Sequence, residues 1–331
     1  MTSILQNLNE GLIRSMESDG RVFLLGEDLL DPYGGAFKVT RGISTRFPDK
    51  VLTTPISEPA LIGIATGMAM RGLRPVVEIM FGDFMTLAMD QILNHASKFR
   101  WVYNENVSVP IVVRTPMGGR RGYGPTHSQS LEKLFLGIPG VRVIALNTIS
   151  DPAKLIGEAI SDNDPVILIE HKLLYACQLL VGGRGDLVDL KIEKYGDTYP
   201  THKIGYSSKP QITIATYGYN FEIVRKVVLE ILYEREIFSE IILFSQLSPF
   251  NLTPLLDSIA KTKRLLTVEE GTLSLGWGSE IVSRVSENGL INARIKRVGA
   301  LDYPIANSKT LEDKILPSHQ VIKQAINDLL E

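Results

Sequence analysis

The chain has 331 residues, of which 44% are hydrophobic and 22% charged, and a formal net charge of −2. That length suits two domains, each with its own core, and the balance lacks the basic excess of a nucleic-acid binder. A single cysteine, Cys177, excludes an internal disulfide framework, and no apolar run reaches the length of a membrane span.

The opening stretch MTSILQNLNEGLIRSMESDG is amphipathic and carries acids, unlike a signal or transit peptide, so a cytosolic location is expected. It predicts a helix over about residues 4–16 that stops near Gly20, followed by the buried strand VFLLG. In TTPISEPALIGIATGMAMRGLRPV (53–76) a single acid, Glu58, opens an otherwise uncharged run that reaches Arg71. Helix punctuation accounts for it: Ser57 can cap, Pro59 fits the first turn, and a negative charge faces the positive end of the helix dipole. A functional role for Glu58 is the alternative. Gly63 and Gly67 stand one turn apart and predict a close approach to a neighbouring element.

The β-branched runs PVVEIM (75–80), VPIVVRT (109–115), VRVIAL (141–146) and DPVILIE (164–170) follow. Between them lie the helical stretches DFMTLAMDQILNHASKF and DPAKLIGEAIS. Continuous apolar strands alternating with helices predict a parallel sheet covered on both faces. From Cys177 to Pro210 the pattern lapses into a polar connection with room for a short hairpin, and its GRGD (183–186) reads as a turn. A second α/β unit then runs through QITIATYG, a helix over Phe221–Arg235, EIILFS, a helix near Pro254–Ala260, RLLTVEEG, a helix from about Gly276, ARIKRVG and a closing helix over His319–Leu330.

Three stretches could carry chemistry. RTPMGGRRGYGPTHSQS (114–130) joins glycines to Arg120 and Arg121, a composition suited to an anion-binding loop, but lacks the ending of a phosphate-binding P-loop. EEGTLSLGWGSE (269–280) has Gly276-x-Gly278 without a third glycine, which reads as a tight strand-to-helix turn. Of five histidines none forms a metal-binding pair; His127 differs in lying in a Gly/Pro-rich loop beyond a buried strand, where α/β folds place ligand-binding groups. A loop histidine held by local hydrogen bonds is the competing reading. Phe81 and Phe84 at i, i+3 read as core, or as a ring able to stack on a flat heterocycle.

In order along the chain, GED (26–28), GGAFKVTRG (34–42), TPISE (54–58), GLRPVVEIMFGDF (72–84), DQILNHASKFR (90–100), HSQSLE (127–132), IPGVRV (138–143), SDNDPV (161–166), TVEEG (267–271) and GSEI (278–281) resemble the β subunits of thiamine-diphosphate-dependent 2-oxo acid dehydrogenases, relatives of the transketolases. The resemblance implies an α/β fold. A pyrimidine-binding thiamine-diphosphate domain with a parallel sheet would occupy 1–176, a linker 177–210, and a transketolase-type C-terminal α/β domain 211–331. It implies that Glu58 contacts the cofactor's aminopyrimidine and shares a proton with it, that Phe84 stacks on that ring, and that Glu27 lies close by. It places His127 near the reacting carbon. It also matches Ile111, Ala159, Ile160, Asp162 and Asp164 to a loop for a monovalent cation such as K⁺, against a solvated acidic turn as the plain alternative.

No GDG motif, by which this fold grips Mg²⁺ and the diphosphate, occurs in the sequence. The resemblance assigns that half of the site to an α subunit in an α₂β₂ assembly, so the chain alone is expected to be inactive. A small 2-oxo acid is the implied substrate and a lipoyl acyltransferase core the implied docking partner, with neither nucleic acid nor membrane involved. Leu136-Gly137, Ser274-Leu275 and the tail PIANSKTLEDKILPS depart from the family pattern and leave open a second reading, a thiamine-dependent carbon–carbon ligase subunit. A non-catalytic scaffold is a third reading, and Glu58 and His127 together argue against it.

Overall fold

The computed structural model describes residues 2–180, 190–290 and 292–331; the GRGD turn expected at 183–186 lies outside them. The chain divides into two compact units, Met1–Met117 with Phe135–Leu179, and Gly118–Leu134 with Leu180–Glu331.

The first unit is built on parallel strands. β1 (Val22–Gly26), β2 (Val51–Thr53), β3 (Arg74–Glu78), β4 (Val112–Met117), β5 (Arg142–Ala145) and β6 (Val166–His171) lie in the order β5-β6-β4-β3-β1-β2, and each of these neighbours runs parallel to the next. β4 and β6 are buried at every residue, as continuous apolar runs require of a sheet covered on both faces. Helix α1 (Ile4–Ser18) buries the i, i+4 stripe Ile4, Leu8, Leu12 and Met16, and starts in a capping box between Ser3 and Gln6. Gly11 lets α1 press on α5 (Pro152–Ser161): a Cβ there would sit 2.6 Å from the Ala153 Cα.

Helix α3 (Glu58–Met70) buries Leu61, Ile62, Ala65, Thr66 and Ala69 and leaves Ala60, Ile64 and Gly67 exposed. Of the glycine pair expected to face a neighbour, Gly63 does so, with Gln91 Oε1 3.3 Å from its would-be Cβ, whereas Gly67 faces open space. The stretch read as one helix over 83–99 is instead a 3₁₀ turn (Gly82–Thr86) and a π-helical turn (Gln91–Ala96). Short helices α2 (Ile43–Arg46) and α4 (Phe99–Val102) complete this unit.

In the second unit the sheet order is β13-β12-β9-β10-β8-β7, from β7 (Lys191–Tyr195), β8 (Thr201–Gly205), β9 (Ile212–Tyr217), β10 (Ser239–Phe244), β12 (Arg264–Thr272) and β13 (Arg294–Ala300); a short strand β11 (Gln246–Ser248) follows β10. The four strands β13, β12, β9 and β10 are parallel, and β8 and β7 add antiparallel. The hairpin anticipated within 177–210 is therefore part of this sheet, and its residues belong with the second unit. Helices α6 (Asn220–Arg235), α7 (Thr253–Thr262), α8 (Trp277–Glu287), α9 (Lys309–Ile315) and α10 (His319–Leu330) accompany the sheet. Trp277 is buried edge-on against Tyr217 and Phe244, at 5.1 and 5.2 Å between ring centres. No helix among the described residues is long and apolar enough to cross a membrane.

Candidate active site

β1 and β2 are parallel neighbours with Gly26 opposite Thr53, so the chain after each strand emerges at the same edge of the sheet. Glu27 follows β1 directly, and Glu58 opens α3 after the turn that leaves β2. Both are buried, 7% and 5% exposed. Burial pushes the Glu27 carboxyl above the usual range, and the neighbouring Glu58 charge pushes it the same way against the pull of the Ser57 backbone N–H. Glu27 Oε1 is buried without a hydrogen-bond partner. The Glu58 carboxyl makes no hydrogen bond or ion pair among the described residues. Ser57 occupies the N-cap position but its side chain makes no capping bond, contrary to expectation, while Pro59 does sit in the first turn. Two adjacent buried acids with so few donors are costly unless a proton or a ligand relieves them.

β3 is the parallel neighbour of β1 on its other side, and Phe84 follows it in the 3₁₀ turn. Residues at i and i+3 eclipse in such a turn, which sets the half-buried Phe84 ring edge-on to Phe81 at 5.7 Å; Phe81 in turn meets Phe37 at 5.6 Å. Gly82 is needed here, because a Cβ would fall 2.2 Å from Met117 Cγ. Across the same strands runs a buried ionic network that the sequence reading missed. The Arg114 guanidinium donates to both oxygens of Glu170 (2.8 Å each) and to Glu78 (2.9 Å), and the Tyr175 hydroxyl donates to Glu170 (2.6 Å). Burial raises the Glu78 carboxyl, with Arg114 opposing it.

His127 belongs to the second unit. Its backbone N–H donates to the Gly124 carbonyl (3.3 Å), and its Nδ1 lies 3.0 Å from the Thr126 hydroxyl, so the local hydrogen bonds of the plainer reading are present; the ring is half-buried. Left-handed backbone at Gly118, Arg120, Gly122 and Gly124 turns several N–H groups of this loop inward. They do meet anions, but the chain's own: Gly119 N–H donates to Glu270 (2.8 Å), and Arg120 N–H (2.6 Å) and Gly122 N–H (3.2 Å) donate to Glu312. The Arg120 side chain pairs with Glu270 at 3.0 Å and donates to the Pro317 carbonyl at 2.7 Å. The anion-binding composition of the loop is thus satisfied internally.

The Gly276-x-Gly278 stretch is the tight turn expected of it. Glu269 accepts from the N–H groups of Trp277 (2.7 Å) and Gly278 (2.9 Å), and a Cβ on Gly276 would lie 2.5 Å from that carboxylate. Burial pushes the Glu269 carboxyl up to about 7, although both N–H groups hold it down.

The loop matched to a monovalent-cation site has its oxygens engaged. Arg74 donates to the carbonyls of Ile160 (2.7 Å) and Asp162 (2.9 Å), the Ile111 carbonyl accepts from Val166 N–H (2.9 Å), and the Ala159 carbonyl from Asp162 N–H (3.3 Å). Arg142 pairs with Asp162 (2.8 Å) and Asp164 (3.2 Å), and Arg100 with Asp164 (2.9 Å). Guanidinium groups stand where the sequence reading expected an ion or water. Among the described residues no cluster of three or more His, Cys, Asp or Glu could hold a metal.

Residues 2–178 match the family described as the transketolase pyrimidine-binding domain, and residues 205–322 the transketolase C-terminal domain. The chain is 35% identical to a pyruvate dehydrogenase E1 component subunit beta of Gracilaria tenuistipitata var. liui over the full length of both, and 34% identical to the mitochondrial counterpart of Bos taurus, covering 99% of this chain and 90% of that one. It is 34% identical to an acetoin:2,6-dichlorophenolindophenol oxidoreductase subunit beta of Cupriavidus necator, covering 98% and 96%. The chain belongs to the E1 β-subunit family. A solved structure titled a split-gene transketolase, inactive β4 tetramer, shares the fold with a TM-score of 0.75 at 17% identity, over 100% of this chain and 99% of that one.

Within this E1 β chain the departures noted in the sequence fall on particular structures. Leu275 has left-handed backbone and an exposed side chain, and Ser274 donates to Asp302 at 2.6 Å, so the replaced glycine pair is a surface turn. The divergent tail contains α9, which supplies Glu312. Neither Glu270 nor Glu312 was singled out from the sequence; their partners lie 151 and 192 residues away in the chain, beyond any local spacing signal.

Proposed function

We propose that this chain is the β subunit of a thiamine-diphosphate-dependent 2-oxo acid dehydrogenase, active only with an α subunit. The observation that carries it is the Glu27–Glu58 pair, two buried acids at the edge where β1 and β2 end, with Glu27 Oε1 unpartnered and only the Ser57 N–H set against the Glu27 charge. A nitrogen heterocycle that both accepts and donates protons is what such a pair lacks, and the aminopyrimidine of the cofactor has that chemistry. Thiamine diphosphate, when bound, supplies a carbon nucleophile and a sink for the electrons released by decarboxylation. Glu58 would hydrogen-bond a ring nitrogen. The raised affinity of Glu27 for a proton keeps its carboxyl neutral to higher pH than an isolated acid. Phe84 offers a half-buried ring face, and His127, with its ring on a constrained loop, would orient the substrate or the incoming acyl acceptor.

The exposed, uncharged side of α3, Ala60, Ile64 and Gly67, with Ile56 82% exposed just before it, is the kind of surface a partner subunit covers. That supports an α subunit in an α₂β₂ assembly, which would also supply the Mg²⁺–diphosphate grip missing from this sequence. We assign lipoamide as acyl acceptor on the family resemblance, and a cytosolic location on the lone cysteine. The cation loop, its oxygens engaged by arginines and backbone N–H groups, is given no ion.

The test is dye-coupled oxidation of a panel of 2-oxo acids by the chain together with its α subunit, thiamine diphosphate and Mg²⁺, beside Glu58→Gln. Turnover that needs both chains and collapses in the variant supports the reading. Full turnover in Glu58→Gln sinks it, and tight cofactor binding with no dye reduction by any oxo acid turns the assignment toward a carbon–carbon ligase.

A further inference from the structure

The loop that carries His127 is seated on two buried carboxylates, and nothing in the reaction chemistry uses either. Glu270 bridges its two limbs, accepting from Gly119 N–H (2.8 Å) on one and lying 3.4 Å from the Ser130 hydroxyl on the other, while Gly118 N–H donates to the Gln129 carbonyl at 3.3 Å. Glu312, 1% exposed in α9, accepts from Arg120 N–H and Gly122 N–H nearer the tip. Packing closes around these bonds. A Cβ on Gly119 would lie 2.7 Å from Leu316 Cδ1 and 3.0 Å from Glu312 Oε1, and one on Gly122 would lie 3.2 Å from the Asn307 carbonyl. Arg120 holds a left-handed backbone, unusual for a side chain of its size, with its N–H on Glu312 and its guanidinium on Glu270.

We propose that Glu312, acting with Glu270, is a positioning residue for His127: an anion-binding loop is filled by a carboxylate from the C-terminal segment, and this fixes where the imidazole stands. The inference rests on the role given to His127 above, but the seating itself is readable without turnover. Three backbone donors meet two carboxylates, and the guanidinium is shared between Glu270 and the Pro317 carbonyl, so removal of either acid leaves an inward N–H unmet. Glu312 is the better target because its bonds lie close to the tip, whereas Glu270 also joins the limbs. The tail that departs from the family pattern is the segment that supplies this carboxylate.

The experiment compares wild type, Glu312→Ala and Glu312→Gln in the complex with the α subunit. It follows diethyl pyrocarbonate modification of His127 by peptide mass spectrometry, with His95 of the first unit as internal reference. Glu312→Ala should modify His127 several-fold faster, about threefold or more, as expected when a loop opens locally, with His95 unchanged. Added acetate, replacing the lost carboxylate on the free N–H groups, should slow it again. In turnover, kcat should fall about tenfold while KM for the oxo acid holds, the pattern of a misplaced group. Should the alanine variant not fold, Glu312→Gln decides, since its amide can satisfy one N–H but opposes the other.

A uniform rise at both histidines, with no response to acetate, would reduce Glu312 to a general stabiliser and overturn the proposal. So would wild-type modification rates in both variants. Absence of any 2-oxo acid turnover in the wild-type complex would count against the functional reading alone, because the modification rates and the acetate response still judge the seating.

Discussion

The glutamates of the two units are buried alike and treated differently. Glu269, Glu270 and Glu312 in the second unit each accept from backbone N–H groups, and glycines at 119, 276 and 278 give those contacts room. Glu27 and Glu58 in the first unit face each other with little but the Ser57 N–H to offset their charge. A carboxylate met by donors holds a loop or a helix end; one left without them stores unfavourable energy that a ligand can release. The contrast separates structural acids from candidate catalytic ones more sharply than burial does, since all five are buried.

The widest separation should come from Glu58→Gln. Loss of its proton exchange is expected to cost about a hundredfold or more in kcat, the range of general acid–base groups, while thermal melting stays level or rises as the repulsion with Glu27 is relieved. A melting temperature that drops together with activity would place Glu58 among the structural acids. Next in size is Arg114→Met, which leaves Glu78 and Glu170 buried without their counter-charge. Denaturant unfolding should show a loss of about 3–5 kcal/mol, and an unchanged midpoint would mean that the network is dispensable.

Glu269 sharpens the comparison through pH. Its carboxyl titrates near 7 in the fold against 4.5 as the ordinary value, so between these pH values the folded chain holds a proton that the unfolded chain has lost. Stability therefore falls as pH rises through that window, by about 1.4 kcal/mol per unit at the steepest. Glu269→Gln should flatten the slope in unfolding curves taken from pH 4.5 to 7; a slope that persists assigns it to other groups. The smallest effect belongs to the arginine-filled acidic loop. Exchange of K⁺ for choline at constant ionic strength should shift stability by less than about 1 kcal/mol, because partly exposed pairs are screened. A larger stabilisation specific to K⁺ would restore an ion to Asp162 and Asp164.

How far the sequence foretold this molecule follows the range of the forces involved. The β-branched runs became strands within a few residues of their expected limits, because alternation of apolar segments is a local signal. DFMTLAMDQILNHASKF kept helical character but broke into a 3₁₀ turn and a π-helical turn in place of one continuous α-helix. The polar stretch 191–205 looked like a connection, yet its strand pairing with β10 is set by residues far along the chain. At the site, Glu58 stood out as one acid in an uncharged run, and His127 by its loop. Arg114, Glu170, Glu270 and Glu312 did not, since their meaning lies in partners dozens of residues away or more. The anion that Arg120 meets, Glu270, lies 150 residues away and so left no local signal either.

β7 has a consequence for a chain meant to live in company. It is the last strand of its sheet among the described residues, and a bare strand edge invites another copy to pair with it. This edge carries Lys191, Glu193 and Lys194 within four residues, with Lys191 and Lys203 both paired to Glu193. Edge-to-edge pairing would strip water from these charged side chains and disturb their ion pairs. Such charges oppose pairing between two copies of the chain along this edge.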